Sequence, residues 1–125
     1  MPLKVFLVED DEAYAEFIKK SLRTKYQIYS FRSAEDCLVT LKSITPDVLI
    51  IDYSLPGISG IDLYDQIKDK LNSKVKVIIM SAIADGNLVL EFIRKGVRDY
   101  VLKDEKVIQT LTSVIEGEDE IYFDD

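Results

Sequence analysis

Four largely apolar runs in this chain each stop at a polar residue that can bind a ligand or react. The runs and the residues that follow them are 3–8 before Glu9 and Asp10, 48–51 before Asp52, 75–80 before Ser81, and 100–102 before Lys103. Runs of this kind are typical of buried parallel strands, whose carboxyl ends lie along one edge of a sheet. The pattern therefore predicts that three carboxylates, a hydroxyl and an ammonium converge on one crevice.

Segments with helical spacing of apolar residues lie between the runs, so that strands and helices alternate. The predicted elements are β1 (3–9), α1 (11–24), β2 (26–31), α2 (33–43), β3 (47–51), α3 (60–71), β4 (75–80), α4 (85–95), β5 (99–102) and α5 (104–117). Five βα units favour an α/β fold with an open, doubly wound parallel sheet, since a closed eight-stranded barrel typically needs about twice as many residues. In the flavodoxin-like strand order 2-1-3-4-5, with helices on both faces, Glu9, Asp10 and Asp52 stand at the switch point between β1 and β3.

The negative charge of the chain is concentrated at its end. The net charge is −7, and the last ten residues hold six acids and no bases. The other 115 residues carry 16 basic and 17 acidic side chains, a nearly balanced surface that offers no basic stripe for a nucleic acid. We therefore predict one domain over residues 1–117, an acidic tail or linker over 118–125, and no direct nucleic-acid binding. A sharper alternative is that the tail docks on a partner.

Histidine is absent, which excludes a phosphohistidine carrier, a Ser-His-Asp hydrolase and a histidine-ligated metal site. The single cysteine, Cys37, falls on the apolar face of α2, where a small buried hydrophobe is expected rather than a redox or metal site. No apolar run approaches the roughly 20 residues of a membrane span, and the first residues have no signal-peptide layout. These features predict a cytoplasmic protein without a membrane partner.

The acidic residues after β1 and β3 favour a metal site. Carboxylates pressed together repel one another unless a cation neutralises them, and Mg²⁺ suits a site of one or two carboxylates with positions left for phosphate oxygens. The alternative for residues 9–12 is an acidic first turn that complements the dipole of α1, a role expected for Asp11 and Glu12.

Asp52 has a buried strand behind it and a turn-rich loop in front. A carboxylate at such a strand end can attack phosphorus and form an acyl phosphate, provided that cations neutralise the incoming charge. Lys103 would supply an ammonium, and Ser81 a hydrogen bond to a phosphoryl oxygen. The alternatives are an ordinary surface lysine at 103 and a turn cap at Ser81.

Together these residues resemble the receiver domain of bacterial two-component response regulators. The resemblance runs from Lys4 to about Ile115. Its motifs are Phe6-Leu7-Val8-Glu9-Asp10, Asp52 with Pro56 and Gly60, Met80-Ser81-Ala82, and the segment from Gly96 to Lys103. The resemblance implies a signalling domain rather than an enzyme.

The resemblance further implies that Asp52 takes a phosphoryl group from a sensor histidine kinase or a histidine phosphotransfer protein. Mg²⁺, with Mn²⁺ as a substitute, would be held by Glu9, Asp10, Asp52 and the backbone carbonyl of Ser54. Lys103 would pair with the phosphoryl oxygens. Ser81 would then be drawn toward the phosphoryl group, and Tyr100 would turn inward behind it. This would remodel the α4-β5-α5 face, to which a downstream protein, an output domain or a second copy of the chain would bind. Tyr100 alternatively serves only as a half-buried strand aromatic.

The chain departs from the family pattern at Asp104, where many members have a proline with a cis peptide bond. In the family, the residues at the places of Ser54 and Ile83 tune how readily water attacks the acyl phosphate, and the apolar Ile83 predicts a long-lived phosphorylated state. Two other functions remain open. One is a receiver-like scaffold that is never phosphorylated. The other is a Mg²⁺-dependent phosphohydrolase with an aspartyl phosphate, which usually needs a second acid where this chain has Ser54.

Overall fold

Five strands and five helices alternate along residues 2–117, the part of the chain that the computed structural model describes. Their bounds are β1 Lys4–Val8, α1 Glu12–Leu22, β2 Gln27–Phe31, α2 Ala34–Leu41, β3 Val48–Asp52, α3 Gly60–Ile67, β4 Lys76–Ser81, α4 Gly86–Arg94, β5 Asp99–Leu102 and α5 Val107–Glu116. The strands form one parallel sheet in the order β2-β1-β3-β4-β5. The predicted flavodoxin-like architecture is confirmed.

Alternating strand residues face two separate cores, as the period of two along a strand requires. Val5 and Leu7 of β1 pack with α1 and α5 on one face of the sheet. Phe6 and Val8 pack with α2, α3 and α4 on the other face. All five residues of β3 are buried, because helices cover this central strand on both sides.

Side chains at the ends of loops start four of the helices that the structure describes. Each of these capping side chains accepts a backbone N–H from the first turn of its helix: Asp11 from Tyr14, Ser33 from Asp36, Ser59 from Asp62, and Asp85 from Asn87. Because the helices run antiparallel to the strands, these starts lie at the edge of the sheet where the strands end. The caps therefore help to fix the loops around the candidate site.

The predicted start of α5 is wrong. The helix begins at Val107 rather than at residue 104, because the Asp104 carboxylate accepts the N–H of Lys106 at 2.9 Å and holds residues 104–106 in a turn. The Lys103–Asp104 peptide bond is trans, as are the other peptide bonds between residues 2 and 117. In β3 and β4, the strands extend one residue further than predicted and include Asp52 and Ser81.

Cys37, on the inner face of α2, is fully buried in the core, as expected, and burial raises the pKa of its thiol to about 12. None of the helices between residues 2 and 117 has the length and apolar character that crossing a membrane requires. The predicted acidic tail, residues 118–125, lies outside the described residues.

Candidate functional site

Backbone hydrogen bonds continue past the strand ends and hold the polar residues of the sheet edge in register. The Tyr53 N–H donates to the carbonyl of Met80, and the Lys103 N–H donates to the carbonyl of Ser81, both at 2.8 Å. The Glu9 N–H donates to the carbonyl of Phe31 at 2.9 Å. The local positions of the site residues are therefore set by the sheet itself.

Glu9, Asp10 and Asp52 form an acidic cluster at this edge. One carboxylate oxygen from each lies within 4.8 Å of the others. Glu9 and Asp52 are almost completely buried, at 1% and 3% exposure, whereas Asp10 is exposed. The cluster thus has a buried floor and one side open to solvent.

Lys103 lies between two of these carboxylates. Its Nζ atom is 2.6 Å from Glu9 Oε1 and 3.2 Å from Asp52 Oδ1, and only 16% of the lysine side chain is exposed. Burial lowers the pKa of Lys103, but the hydrogen bond to Glu9 and the charges of Asp52 and Glu9 outweigh it, so that the pKa is raised. Lys103 therefore stays protonated in the site.

The pKa of Glu9 is raised above its ordinary value of 4.5, chiefly by burial and further by the charge of Asp52. The hydrogen bonds that Glu9 accepts from Lys103 and from the backbone N–H of Asp11 oppose this change without cancelling it.

The acidic cluster has an excess of negative charge, because three carboxylates and one ammonium carry a formal charge of −2. A donor set of closely spaced oxygens with excess negative charge fits a hard divalent cation.

The loop after β3 closes against Asp52. The Ser54 N–H donates to Asp52 Oδ1 at 3.3 Å, which places the exposed Ser54 beside the cluster. Gly60, the first residue of α3, approaches even closer: a Cβ atom there would lie 2.2 Å from the Asp52 carbonyl oxygen. Only glycine fits this contact, so the start of α3 is seated directly on the backbone of Asp52.

Hydrogen bonds connect Ser81, Ile83 and Tyr100. The Ile83 N–H donates to Ser81 Oγ at 3.0 Å, and the Tyr100 hydroxyl donates to the Ile83 carbonyl. The Tyr100 ring packs on Phe92 of α4, with ring centroids 5.4 Å apart. Ser81 thus caps a turn, while its hydroxyl still carries a proton that it can donate.

Tyr14 also lies in this site, which the sequence analysis did not predict. Its ring centroid lies 4.7 Å from Lys103 Nζ. The signal was available, because Tyr14 is in the first turn of α1 and that turn begins at the same edge of the sheet as the acidic cluster. An aromatic residue there can reach a lysine at the end of β5.

Comparison with known proteins identifies the family. The family model of the response regulator receiver domain matches residues 5–116 of this chain. The chain belongs to that family. Receiver domains are signalling domains of two-component systems that bind Mg²⁺ at an acidic pocket, and this chain has an acidic cluster of Glu9, Asp10 and Asp52.

Individual relatives agree with this assignment. The receiver domain is 27% identical to the chemotaxis protein CheY of Thermotoga maritima, with 89% of this chain and 97% of CheY covered. It is 32% identical to part of the sensor histidine kinase TmoS of Ectopseudomonas mendocina, covering 80% of this chain but 10% of the kinase. The response regulator DrrB of Thermotoga maritima has a solved structure with a TM-score of 0.82 and 26% identity, covering 94% of this chain and 54% of DrrB.

Proposed function

We propose that this receiver domain is switched by phosphorylation of Asp52. The observation that carries the proposal is the acidic cluster of Glu9, Asp10 and Asp52, with the Lys103 ammonium 3.2 Å from Asp52. A nucleophilic carboxylate, oxygen ligands for a cation and a fixed ammonium are the groups that phosphoryl transfer to an aspartate needs. The expected donor is the phosphohistidine of a sensor histidine kinase or of a histidine phosphotransfer protein.

In the transfer, a carboxylate oxygen of Asp52 attacks the phosphorus atom of the donor. A P–O bond forms while the P–N bond of the phosphohistidine breaks. The electron pair of that bond stays on the imidazole nitrogen, and the ring leaves neutral because its other nitrogen carries a proton. Lys103 stabilises the negative charge on the phosphoryl oxygens, and the Ser81 hydroxyl donates a hydrogen bond to one of them.

Mg²⁺, or Mn²⁺ in its place, would be held by Glu9, Asp10, Asp52 and the backbone carbonyl of Ser54. Bound there, the ion neutralises charge on the phosphoryl oxygens. The close spacing of the three carboxylates supports this assignment, because the single ammonium of Lys103 balances only one of their three charges. The seating of Gly60 on the Asp52 backbone supports it as well, since it fixes the loop that carries Ser54.

The proposed output is a change in the surface formed by α4, β5 and α5. Ser81, Ile83 and Tyr100 connect the acidic site to this surface by hydrogen bonds, and Tyr100 contacts α4 through Phe92. A phosphoryl group that recruits the Ser81 hydroxyl would alter this connection and bias two arrangements of the surface. The partner is a downstream protein, an output domain or a second copy of this chain.

The test is the intact mass of the protein after incubation with Mg²⁺ and acetyl phosphate. We expect the parent to gain one phosphoryl group, with acetate released, and the gain to be lost without Mg²⁺. Asp52→Asn is the matched variant, because it keeps the shape of the side chain and removes the nucleophilic carboxylate. Equal labelling of the parent and Asp52→Asn would refute the assignment of the acceptor.

No gain of mass, with no phosphate released, would instead favour the scaffold that is never phosphorylated. Rapid release of phosphate without a stable adduct would favour the phosphohydrolase. Lys103→Met separates the phosphorylated receiver domain from the scaffold further. Loss of the ammonium should slow labelling of Asp52, whereas it should leave partner binding by a scaffold that is never phosphorylated unchanged.

A further inference from the structure

Tyr14 presents its ring to the ammonium of the candidate site. Lys103 Nζ lies 4.7 Å from the centroid of the ring, within the roughly 6 Å over which cation–π attraction operates. The same ammonium contacts Glu9 Oε1 at 2.6 Å and Asp52 Oδ1 at 3.2 Å. Lys103 is thus enclosed by two carboxylates and one aromatic ring.

The ring of Tyr14, rather than its hydroxyl, makes the contact with the Lys103 ammonium. Within residues 2–117, the Tyr14 hydroxyl is buried and has no hydrogen-bond partner. A buried hydroxyl without a partner lowers stability, so it gives no structural reason to prefer tyrosine over phenylalanine. Burial also raises the pKa of Tyr14, which keeps the phenol neutral and leaves its ring face as the negative pole that meets the cation.

The position of the ring is set by α1 and the core. The Tyr14 N–H donates to Asp11 Oδ1 at 3.1 Å, the bond that caps α1. The ring packs against the core shared by α1 and α5, and its centroid is 5.9 Å from that of Phe17. A ring fixed in this way can restrict a lysine, whose four-carbon stem is otherwise flexible.

We propose that Tyr14 is a positioning residue for Lys103, and that its ring face holds the ammonium beside the Asp52 carboxylate. The kinetic consequence rests on the proposed function, whereas the contact itself does not. The shorter contact of Lys103 is with Glu9, and the ring offers the ammonium a partner that is not itself a candidate metal ligand. Lys103 therefore keeps a fixed place when Glu9 takes part in holding a cation.

The test compares Tyr14→Leu with Tyr14→Phe in the full chain. The first substitution removes the ring, and the second removes only the hydroxyl. Tyr64→Leu is the matched control, because Tyr64 also has a lysine ammonium near its ring, Lys68 at 6.0 Å. Tyr64 lies beside Gly96 and the starts of β4 and β5, at the end of the strands opposite to the acidic cluster. Tyr14→Met replaces the leucine variant if that variant does not fold, as judged by circular dichroism.

The first measurement is the proton chemical shift of the Lys103 Cε methylene in the metal-free protein. An aromatic ring shields protons above its face, so we expect an upfield shift in the parent and in Tyr14→Phe that is lost in Tyr14→Leu. The second measurement is the rate of Asp52 labelling by acetyl phosphate with Mg²⁺. A contact of this kind predicts a rate about fivefold lower in Tyr14→Leu, and within about twofold of the parent in Tyr14→Phe and Tyr64→Leu.

The two measurements separate failure of this inference from failure of the proposed function. If the parent is not labelled at all, the proposed function fails, and the chemical shift alone decides whether the ring holds Lys103. If the parent is labelled and Tyr14→Leu keeps both its rate and its shift, the inference is overturned while the function stands. Equal losses in Tyr14→Leu and Tyr14→Phe would assign the effect to the hydroxyl and overturn it too.

Discussion

Replacing Gly60 by alanine tests how closely the start of α3 packs on the backbone of Asp52. Gly60 and Gly86 are each the first residue of a helix, after the caps Ser59 and Asp85. A Cβ atom on Gly60 would meet the Asp52 carbonyl oxygen at 2.2 Å, whereas a Cβ atom on Gly86 would meet nothing within 4 Å. The two positions therefore offer the same substitution in opposite surroundings.

The size of the effect follows from the distance. Ordinary contacts of a Cβ atom begin at 3.4 Å, so a gap of about 1.2 Å must open between α3 and the backbone of Asp52. Overpacking of this kind costs typically about 1–3 kcal/mol, against a gain of about 0.4–1 kcal/mol from the smaller entropy of the unfolded chain. We expect Gly60→Ala to lose about 1–2 kcal/mol of unfolding free energy and Gly86→Ala to gain about 0.5 kcal/mol.

Urea unfolding measures this difference. With a slope of about 2 kcal/mol per molar urea, the midpoint should fall by about 0.5–1 M in Gly60→Ala and rise slightly in Gly86→Ala. Labelling of Asp52 by acetyl phosphate should fall by at least about tenfold in the folded Gly60→Ala protein, since a displacement of about 1 Å at a reacting group can cost about 10²-fold. Equal midpoints and equal rates for the two variants would refute the argument from close approach.

Three further predictions concern other parts of the receiver domain. Ile83→Glu should shorten the lifetime of the acyl phosphate by on the order of tenfold, because a carboxylate can orient water where isoleucine cannot; a faster release of phosphate by the parent would contradict this. Glu9 has a raised pKa, so the stability that its protonation contributes is full below pH 4.5 and is lost as the pH rises through the folded-state value. In EDTA, Glu9→Gln should therefore gain stability relative to the parent as the pH rises above 4.5, and parallel pH profiles would count against it. Cys37, buried and with a pKa raised to about 12, should react with a disulfide reagent only after unfolding, and fast labelling of the native protein would show that α2 opens.

The fold could be predicted from the sequence because two features identify a strand: an apolar run and the polar residue that follows it. Val48 to Ile51 is an apolar run buried on both faces, and the residue that follows it is a lone carboxylate before a turn-rich loop. Helix starts could be predicted for a related reason, because a residue such as Ser33, whose side chain caps α2, is of a type that favours the first position of a helix. The start of α5 was not accessible, because Asp104 is compatible with both a helix start and the turn that it forms with Lys106.

Contacts between distant residues were harder to predict than the positions of strand ends. The parallel sheet by itself brings Glu9 and Asp52 to one edge, so their proximity follows from topology. The direction of a side chain within that edge depends on rotamers and on neighbours from other elements. Spacing along the chain brings Tyr14 to this edge but does not set the direction of its ring toward Lys103, and it does not predict the bond from Tyr100 to the Ile83 carbonyl.

The charges of the site constrain how a phosphoryl group could act at a distance. Three carboxylates and one ammonium give −2, and a bound divalent cation would bring the site to zero. A phosphoryl group on Asp52 would then add about one negative charge, since it carries about −2 and replaces a carboxylate of −1. Salt screens an exposed charge beyond about 8 Å at physiological ionic strength but screens a buried group such as Asp52 much less, so the added charge acts most strongly on its nearest neighbours. If Asp52 is phosphorylated as proposed, the change can reach the α4-β5-α5 surface through direct contacts, and Lys103, Ser81, Ile83 and Tyr100 supply a continuous set of them.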